Sequence, residues 1–319
     1  VPVLVVGVGS NLLVREGGLG FSAGEAIKTF RVLRTSGGSA GQGRGQIDGA
    51  SALIQVGLST GRQAQVLVTP EGFTPVAITG DVLGGAALPE AEWLRMGLPS
   101  SGDAGTYISV LGSLKNNVGG VVSANAKGIF ASANAGDTWE PVAQTGAAAP
   151  GFESATFRTF KDPVNSATGA GVAFIGSVKG DATTPLANTG IWWRPAGGAL
   201  SLVAGQGIQA PGAPEGAKWK GFKSLALPGD SSGPLFTAAL QRGEGGITTV
   251  DDMALYSTSS TGTVSELLRE DQEIESLERT VKRFHVLRAV SGSAGTTRAF
   301  NSSGEVVLQV TFKDRKIGI

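Results

Sequence analysis

The chain has 319 residues, 50 of them glycine, and its 26 basic residues are balanced by 26 acidic ones. That balance leaves no polybasic surface for nucleic acid, and no apolar run nears the roughly 18 residues of a membrane-inserted helix. With no cysteine and one histidine, thiol nucleophiles, zinc–thiolate sites and Fe–S sites are excluded, so no metal or cofactor is expected.

Val1–Val8 is apolar but short and lacks a charged flank, so it reads as a strand, not a signal peptide. Within Val3–Leu12, Gly7-Val-Gly9 begins like a dinucleotide-binding turn. Leu12 stands where the third glycine belongs and no long helix follows, which favours a strand hairpin. Gly37-Gly-Ser-Ala-Gly41 matches the G-x-S-x-G elbow of α/β-hydrolases. Its flanks are strand signals, and the loop returns as Ser291-Gly-Ser-Ala-Gly295, so it reads as a repeated loop.

A self-similarity near 63 residues runs through the chain. A closing turn recurs as Val14–Gly17, Ala77–Gly80, Ala143–Gly146, Ala204–Gly207 and Leu268–Asp271, spaced 63, 66, 61 and 64. An apolar anchor follows each turn at Phe30, Trp93, Phe157, Trp219 and Val281. Each repeat reads as four short strands, a to d. In the third repeat they cover about Phe157–Phe160, Val172–Val178, Gly190–Arg194 and Leu200–Ala204. Strand b is apolar at consecutive positions, as a strand covered on both faces would be. The c–d links, such as Pro195-Ala-Gly-Gly and Asn134-Ala-Gly-Asp, are tight glycine turns. Only Gln272–Phe284 has helical spacing, and at most one turn is expected there.

Four strands in each of five repeats predict an all-β fold, a five-bladed β-propeller of four antiparallel strands per blade. The whole chain forms one domain, with blades at about 29–91, 92–155, 156–217, 218–279, and 280–319 plus 1–28. Gly318-Ile319 aligns with Gly190-Ile191, and Val1–Val6 occupies the strand-c place of the incomplete repeat. The segment ending at Phe312, with Lys316–Ile319 beyond it, is therefore expected to pair with Val1–Val6 and close the ring.

Asn301-Ser-Ser-Gly304-Glu-Val306 and Asn165 to Gly169 followed by Val172-Ala-Phe174 have the form of an N-x-x-G-x-V-A-F strand. Gly146–Gly151 and Gly207–Gly212 have the form of a G-D-x-x-P-G turn. In these motifs the chain resembles the secreted bacterial repeat proteins of the choice-of-anchor group. Asp48, Gly102 and Asp230 depart from the expected Asn, and the fourth repeat lacks Pro-Gly. The resemblance implies an extracellular or cell-surface setting and brings no catalytic residues.

Candidate chemistry is sparse. His285 has no second histidine or cysteine to form a dyad, and it should alternate away from Phe284 as a structural residue. Glu25, Glu90, Glu153, Glu215 and Glu278 precede the anchors, and Arg31, Arg95, Arg158, Lys220 and Lys282 follow them. A glycosidase would need two unlike carboxylates from different blades, whereas these keep one phase. They read as structural charges holding the d-to-a links; the alternative is a ring of equivalent ligand sites. Trp93 and Trp219 belong to the core. Trp139, beside a turn, and Trp192 and Trp193, adjacent in one strand, are the aromatics that could stack a sugar. The function expected is a non-enzymatic binding or structural module, with a glycan or another surface protein as partner. The alternative is a carbohydrate-binding or carbohydrate-cleaving propeller.

Overall fold

The computed structural model describes residues 3–6, 11–18, 20–32, 52–69, 72–102, 105–166, 169, 171–180, 183–185, 187–229, 232–286 and 305–319. Gly7–Gly9, Gly37–Gly41, Ser291–Gly295 and Asn301–Gly304 lie outside them. The fold is all-β and antiparallel throughout, with single 3-10 turns at Glu244–Gly246 and Glu275–Leu277. The second of these is the one turn expected within Gln272–Phe284. The described residues divide into two compact units, one reaching to Ala147 and one beginning at Ala148.

In the first unit β1 (Val3–Val6) and β2 (Asn11–Arg15) form a two-stranded sheet. Next, β3 (Ile27–Val32), β4 (Ala52–Leu58), β5 (Gln63–Thr69) and β6 (Gly72–Ile78) pair in sequence order. The third sheet holds β7 (Trp93–Met96), β8 (Ser100–Gly102), β9 (Tyr107–Leu114), β10 (Lys127–Ser132) and β11 (Glu140–Gln144). There β7 and β8 share one edge of β9.

The second unit begins with β12 (Thr156–Phe160), β13 (Val164–Asn165), β14 (Val172–Lys179), β15 (Thr189–Arg194) and β16 (Ser201–Gly205). These match the four strands expected for the third repeat, with β13 added on the edge of β14. Then β17 (Trp219–Ala226), β18 (Leu235–Leu240), β19 (Met253–Thr258) and β20 (Val264–Arg269) form a sheet in chain order. The last sheet contains β21 (Glu273–Ile274), β22 (Arg279–Val286), β23 (Leu308–Phe312) and β24 (Ile317–Gly318).

Register shows which positions are equivalent. In β3, β7, β12, β17 and β22, Ile27, Trp93, Phe157, Trp219 and Val281 lie opposite Leu58, Leu114, Val178, Leu240 and Phe312. The anchor of the first four-stranded sheet is thus Ile27, not Phe30, which is only half-buried. In three sheets the anchor ring meets an aromatic of the third strand edge to face. The pairs are Trp93 with Phe130, Phe157 with Trp192 and Trp219 with Tyr256, at centroid distances of 5.2, 4.9 and 5.6 Å.

Immediately after each anchor the ladder skips one residue: Lys28, Leu94, Arg158, Lys220 and Lys282. A second skip falls in each outer strand, at Leu13, Val76, Val142, Val203 and Leu267. These are β-bulges, two residues opposing one, and they sharpen strand twist locally. The hairpin β1–β2 carries the outer-strand bulge at the same offset from its closing turn as the other four.

The closing turn has a backbone cause. Its fourth residue has positive φ in all five cases: Gly17, Gly80, Gly146, Gly207 and Asp271. That conformation suits glycine. It aims the amides of Gly17, Gly80, Gly207 and Asp271 at the carbonyls of Ile27, Trp93, Trp219 and Val281, at 2.7–2.9 Å. The anchor amides return to Gly18, Asp81, Ile208 and Gln272. One outer strand is thereby tied to the first strand of the following sheet.

At the chain ends, Gly318 faces Val310 as Gly190 faces Gly176, so the aligned register holds. Among the described residues the expected pairing of this segment with Val1–Val6 is not found. Strand β24 completes its pairing on β23, and β1 pairs with β2 alone. The tight turn at 313–316, closed by Arg315 N to Phe312 O at 3.0 Å, lets the chain fold back onto β23 by itself.

Candidate functional site

None of the three tryptophans chosen from sequence is available to a ligand: Trp139, Trp192 and Trp193 are 1%, 0% and 5% exposed. Glycine 136, at positive φ, folds the turn so that Trp139 lies against Trp93. Its Nε1 donates to the carbonyls of Val76 and Gly136. Trp192 and Trp193 do point to opposite faces, but β15 is an inner strand covered on both. Trp192 stacks on Phe174 and donates to the Pro150 carbonyl, while Trp193 joins the core around Trp219.

The recurrent charges are likewise corrected. Glu90, Glu153, Glu215 and Glu278 are exposed, with no side-chain hydrogen bond or ion pair among the described residues. Counted from the true anchors, they fall three or four residues upstream, so they share a turn and not a position. Glu25 alone is buried, and its Oε1 accepts from Thr60 Oγ1 at 2.6 Å. Of the basic set, Arg158, Lys220 and Lys282 are the bulged residues, and all three are exposed. Lys28 is their equivalent in the first four-stranded sheet. Arg31 donates to Gln55, and Arg95 lies one residue beyond its bulge. The links are held by the backbone amide pairs of the closing turn. His285 is exposed beside buried Phe284, as alternation requires.

A different place has the features of a site. In the second unit a cavity of about 280 Å³ opens between the β18 approach and the β19–β20 hairpin. Its polar lining consists of the hydroxyls of Ser232, Ser257, Thr258, Ser259, Thr263 and Ser265. Pro228, Leu235 and Leu267 supply the apolar part, and none of the lining residues among the described ones is charged. Three local causes shape it. Ser257 lies opposite Ser265 and Thr258 opposite Val264 in the hairpin register. Gly233 donates its amide to the Thr258 carbonyl at 2.8 Å, bringing residues 232–233 against the strand. A Cβ on Gly233 would lie 2.9 Å from Thr258 Cγ2 and 3.1 Å from Trp193 Cζ3, so the chain approaches closely only because the residue is glycine. Leu267, the bulged residue of β20, is 45% exposed.

Two hydroxyl oxygens in this cavity, Ser232 Oγ and Thr258 Oγ1, are buried without a hydrogen-bond partner among the described residues. Unmet buried polar groups cost about 1–3 kcal/mol each. Their sequence signal was weak: a Ser/Thr-rich hairpin resembles any exposed turn, and burial of Thr258 follows only from the approach of Gly233.

On the same sheet, Arg269 joins Asp251 and Glu266 at 3.2 Å, and Arg242 holds Asp252 at 2.7 Å. Burial, helped by Asp252 and Asp251 and opposed by Arg283, pushes the Glu270 carboxyl up to about 7. Burial and neighbouring Glu266 raise the Tyr256 hydroxyl well above its ordinary range. Among the described residues no group of three His, Cys, Asp or Glu side chains could hold a metal. No helix of the described chain is long and apolar enough to cross a membrane.

A model of a family of unknown function, DUF7453, matches residues 12–319. The chain belongs to that family. No curated protein matches this DUF7453 member. Among solved structures it is similar to the six-bladed β-propeller lectin of the fungus Aleuria aurantia, at 12% identity, covering 89% of this chain and 88% of that one, with a TM-score of 0.23. It is also similar to a chain of the mitotic checkpoint complex, at 10% identity, covering 97% and 98%, with a TM-score of 0.22. Superpositions this loose do not fix a blade count or a ligand.

Proposed function

We propose that this chain is a non-enzymatic, five-bladed β-propeller, working outside the cell or on its surface as a binding module for a small neutral ligand. The observation that carries this reading is the pair of hydroxyls without a partner among the described residues, in the hydroxyl-rich cavity of the β17–β20 sheet. Four-stranded sheets with the same two bulges, together with a bulged c–d hairpin at the start of the chain, support the propeller. The extracellular setting rests on the resemblance to the choice-of-anchor proteins, as does the bacterial origin. A ligand that supplies hydrogen bonds to Ser232 and Thr258 removes a standing cost, and binding then raises thermal stability by mass action.

The test is a thermal-shift screen of neutral and charged small molecules on the purified chain and on Thr258→Val. The expected result is that neutral hydrogen-bonding compounds raise Tm in the parent only. Shifts retained in the variant, or no shift with any compound, would overturn the reading.

A further inference from the structure

The cavity's lining narrows the ligand beyond its being small and neutral. The lining residues carry six hydroxyls, each able to donate and accept, of which those of Ser259 and Thr263 already meet Thr261 Oγ1 at 2.8 and 3.5 Å. A charged ligand would leave water for a site whose described lining residues carry no countercharge, which is costly. A wholly apolar ligand would leave Ser232 and Thr258 as unsatisfied as they are now. The ligand must therefore carry several groups that both donate and accept, together with an apolar face to lie on Leu267 and Leu235. Leu267 reaches that place because it is the bulged residue of β20: a bulge re-aims its side chain. A volume of about 280 Å³ falls just short of small-molecule sites, which run from roughly 300 to 1,000 Å³, so the ligand is small.

We infer that the cavity binds one neutral sugar ring, its hydroxyl edge on Ser232 and Thr258 and its C–H face on Leu267. This rests on the binding-module reading above and gives it a ligand class. The platform is aliphatic, and half the lining hydroxyls are exposed, so affinity for a single ring falls in the millimolar range.

The purified full chain is titrated calorimetrically with D-glucose, D-galactose, D-mannose and N-acetyl-D-glucosamine. D-glucuronate serves as the charged comparison and acetamide as a neutral probe without a sugar ring. At least one neutral sugar is expected to bind, with D-glucuronate at least about tenfold weaker. Thr258→Val and Ser232→Ala should each lose about tenfold in affinity, one hydrogen bond's worth. Both variants should keep the parent Tm or exceed it, because each deletes an oxygen that has no partner in the free protein. If acetamide binds and the sugars do not, and the variants lose it, the sugar assignment is wrong while the binding site stands. If nothing binds, or the variants bind as the parent does, both fail.

Discussion

Two residues test the local physics directly. Gly112 on β9 has no room for a side chain, since a Cβ there would lie 2.3 Å from Trp93 Cζ3 and 3.1 Å from Phe130 Cδ2. Gly112→Ala should therefore cost about 1–3 kcal/mol by overpacking, read as a fall in the urea midpoint. Glu270 sets a pH dependence. Its carboxyl titrates near 7 in the fold and near 4.5 in an open environment. Between those values the folded chain holds a proton that the unfolded chain releases, so stability falls as pH rises through that window and is greatest at its acid end. Glu270 is part-exposed, and solvent screening reduces the effect, so the check is the slope. Tm measured from pH 4.5 to 7.5 should fall less in Glu270→Gln than in the parent. Equal slopes would show that Glu270 does not hold the proton.

At the scale of elements, the anchor and its bulge act together. Trp219 is 2% exposed and packs on Phe236 and Tyr256, so Trp219→Ala should cost roughly 3–5 kcal/mol in thermal or urea unfolding. Lys220 beside it projects to solvent from the bulge, and Lys220→Ala should stay within about 0.5 kcal/mol. Deleting Lys220 is different. It would remove the bulge and move every following side chain of β17 to the other face, taking Phe222 and Leu225 out of the core they fill and forcing them into the places of smaller buried residues such as Ser224 and Ala226. That deletion should destabilise far more than Trp219→Ala. Strand positions were legible because Val, Ile, Phe and Trp runs end at glycine turns, as in β14 and β15. The bulges were not legible, since no residue type marks them: Lys28, Leu94 and Arg158 occupy the same place. The link from closing turn to anchor also varies, from 10 residues between Gly17 and Ile27 to 13 between Gly80 and Trp93, which let Phe30 pass for the first anchor and made five glutamates look equivalent. The tryptophans misled for a related reason: facing opposite ways exposes one of two neighbours only on a sheet with a free face.

For the whole molecule the proposed ring makes one geometric demand. If β1 and β2 are the missing c and d strands of the last sheet, the shared bulge fixes their register. Leu4 lies one step before the outer-strand bulge, as Ile191 does in the third repeat, and Ile191 faces Ile175. Gln309 is the counterpart of Ile175, because Val310 corresponds to Gly176. In a closed ring Leu4 would therefore face Gln309. It would take the strand-c step after Gly318, which holds the place of Gly190, so Ile319, which aligns with Ile191, must turn aside from Gln309. Directly opposed residues in an antiparallel pair have Cα atoms about 4.5–5.5 Å apart, within disulfide range. The chain has no cysteine, so a Leu4→Cys/Gln309→Cys double variant can form only this bridge. Closure predicts a disulfide in mild oxidant, visible as faster migration on a non-reducing gel and as a higher Tm that reduction abolishes. Moving one cysteine to position 6, two residues away on the same face, should remove most of the cross-linking. Failure of the Leu4–Gln309 pair to bridge, with the double variant folded and its thiols free, would mean that the last sheet ends at β24 and the ring is open.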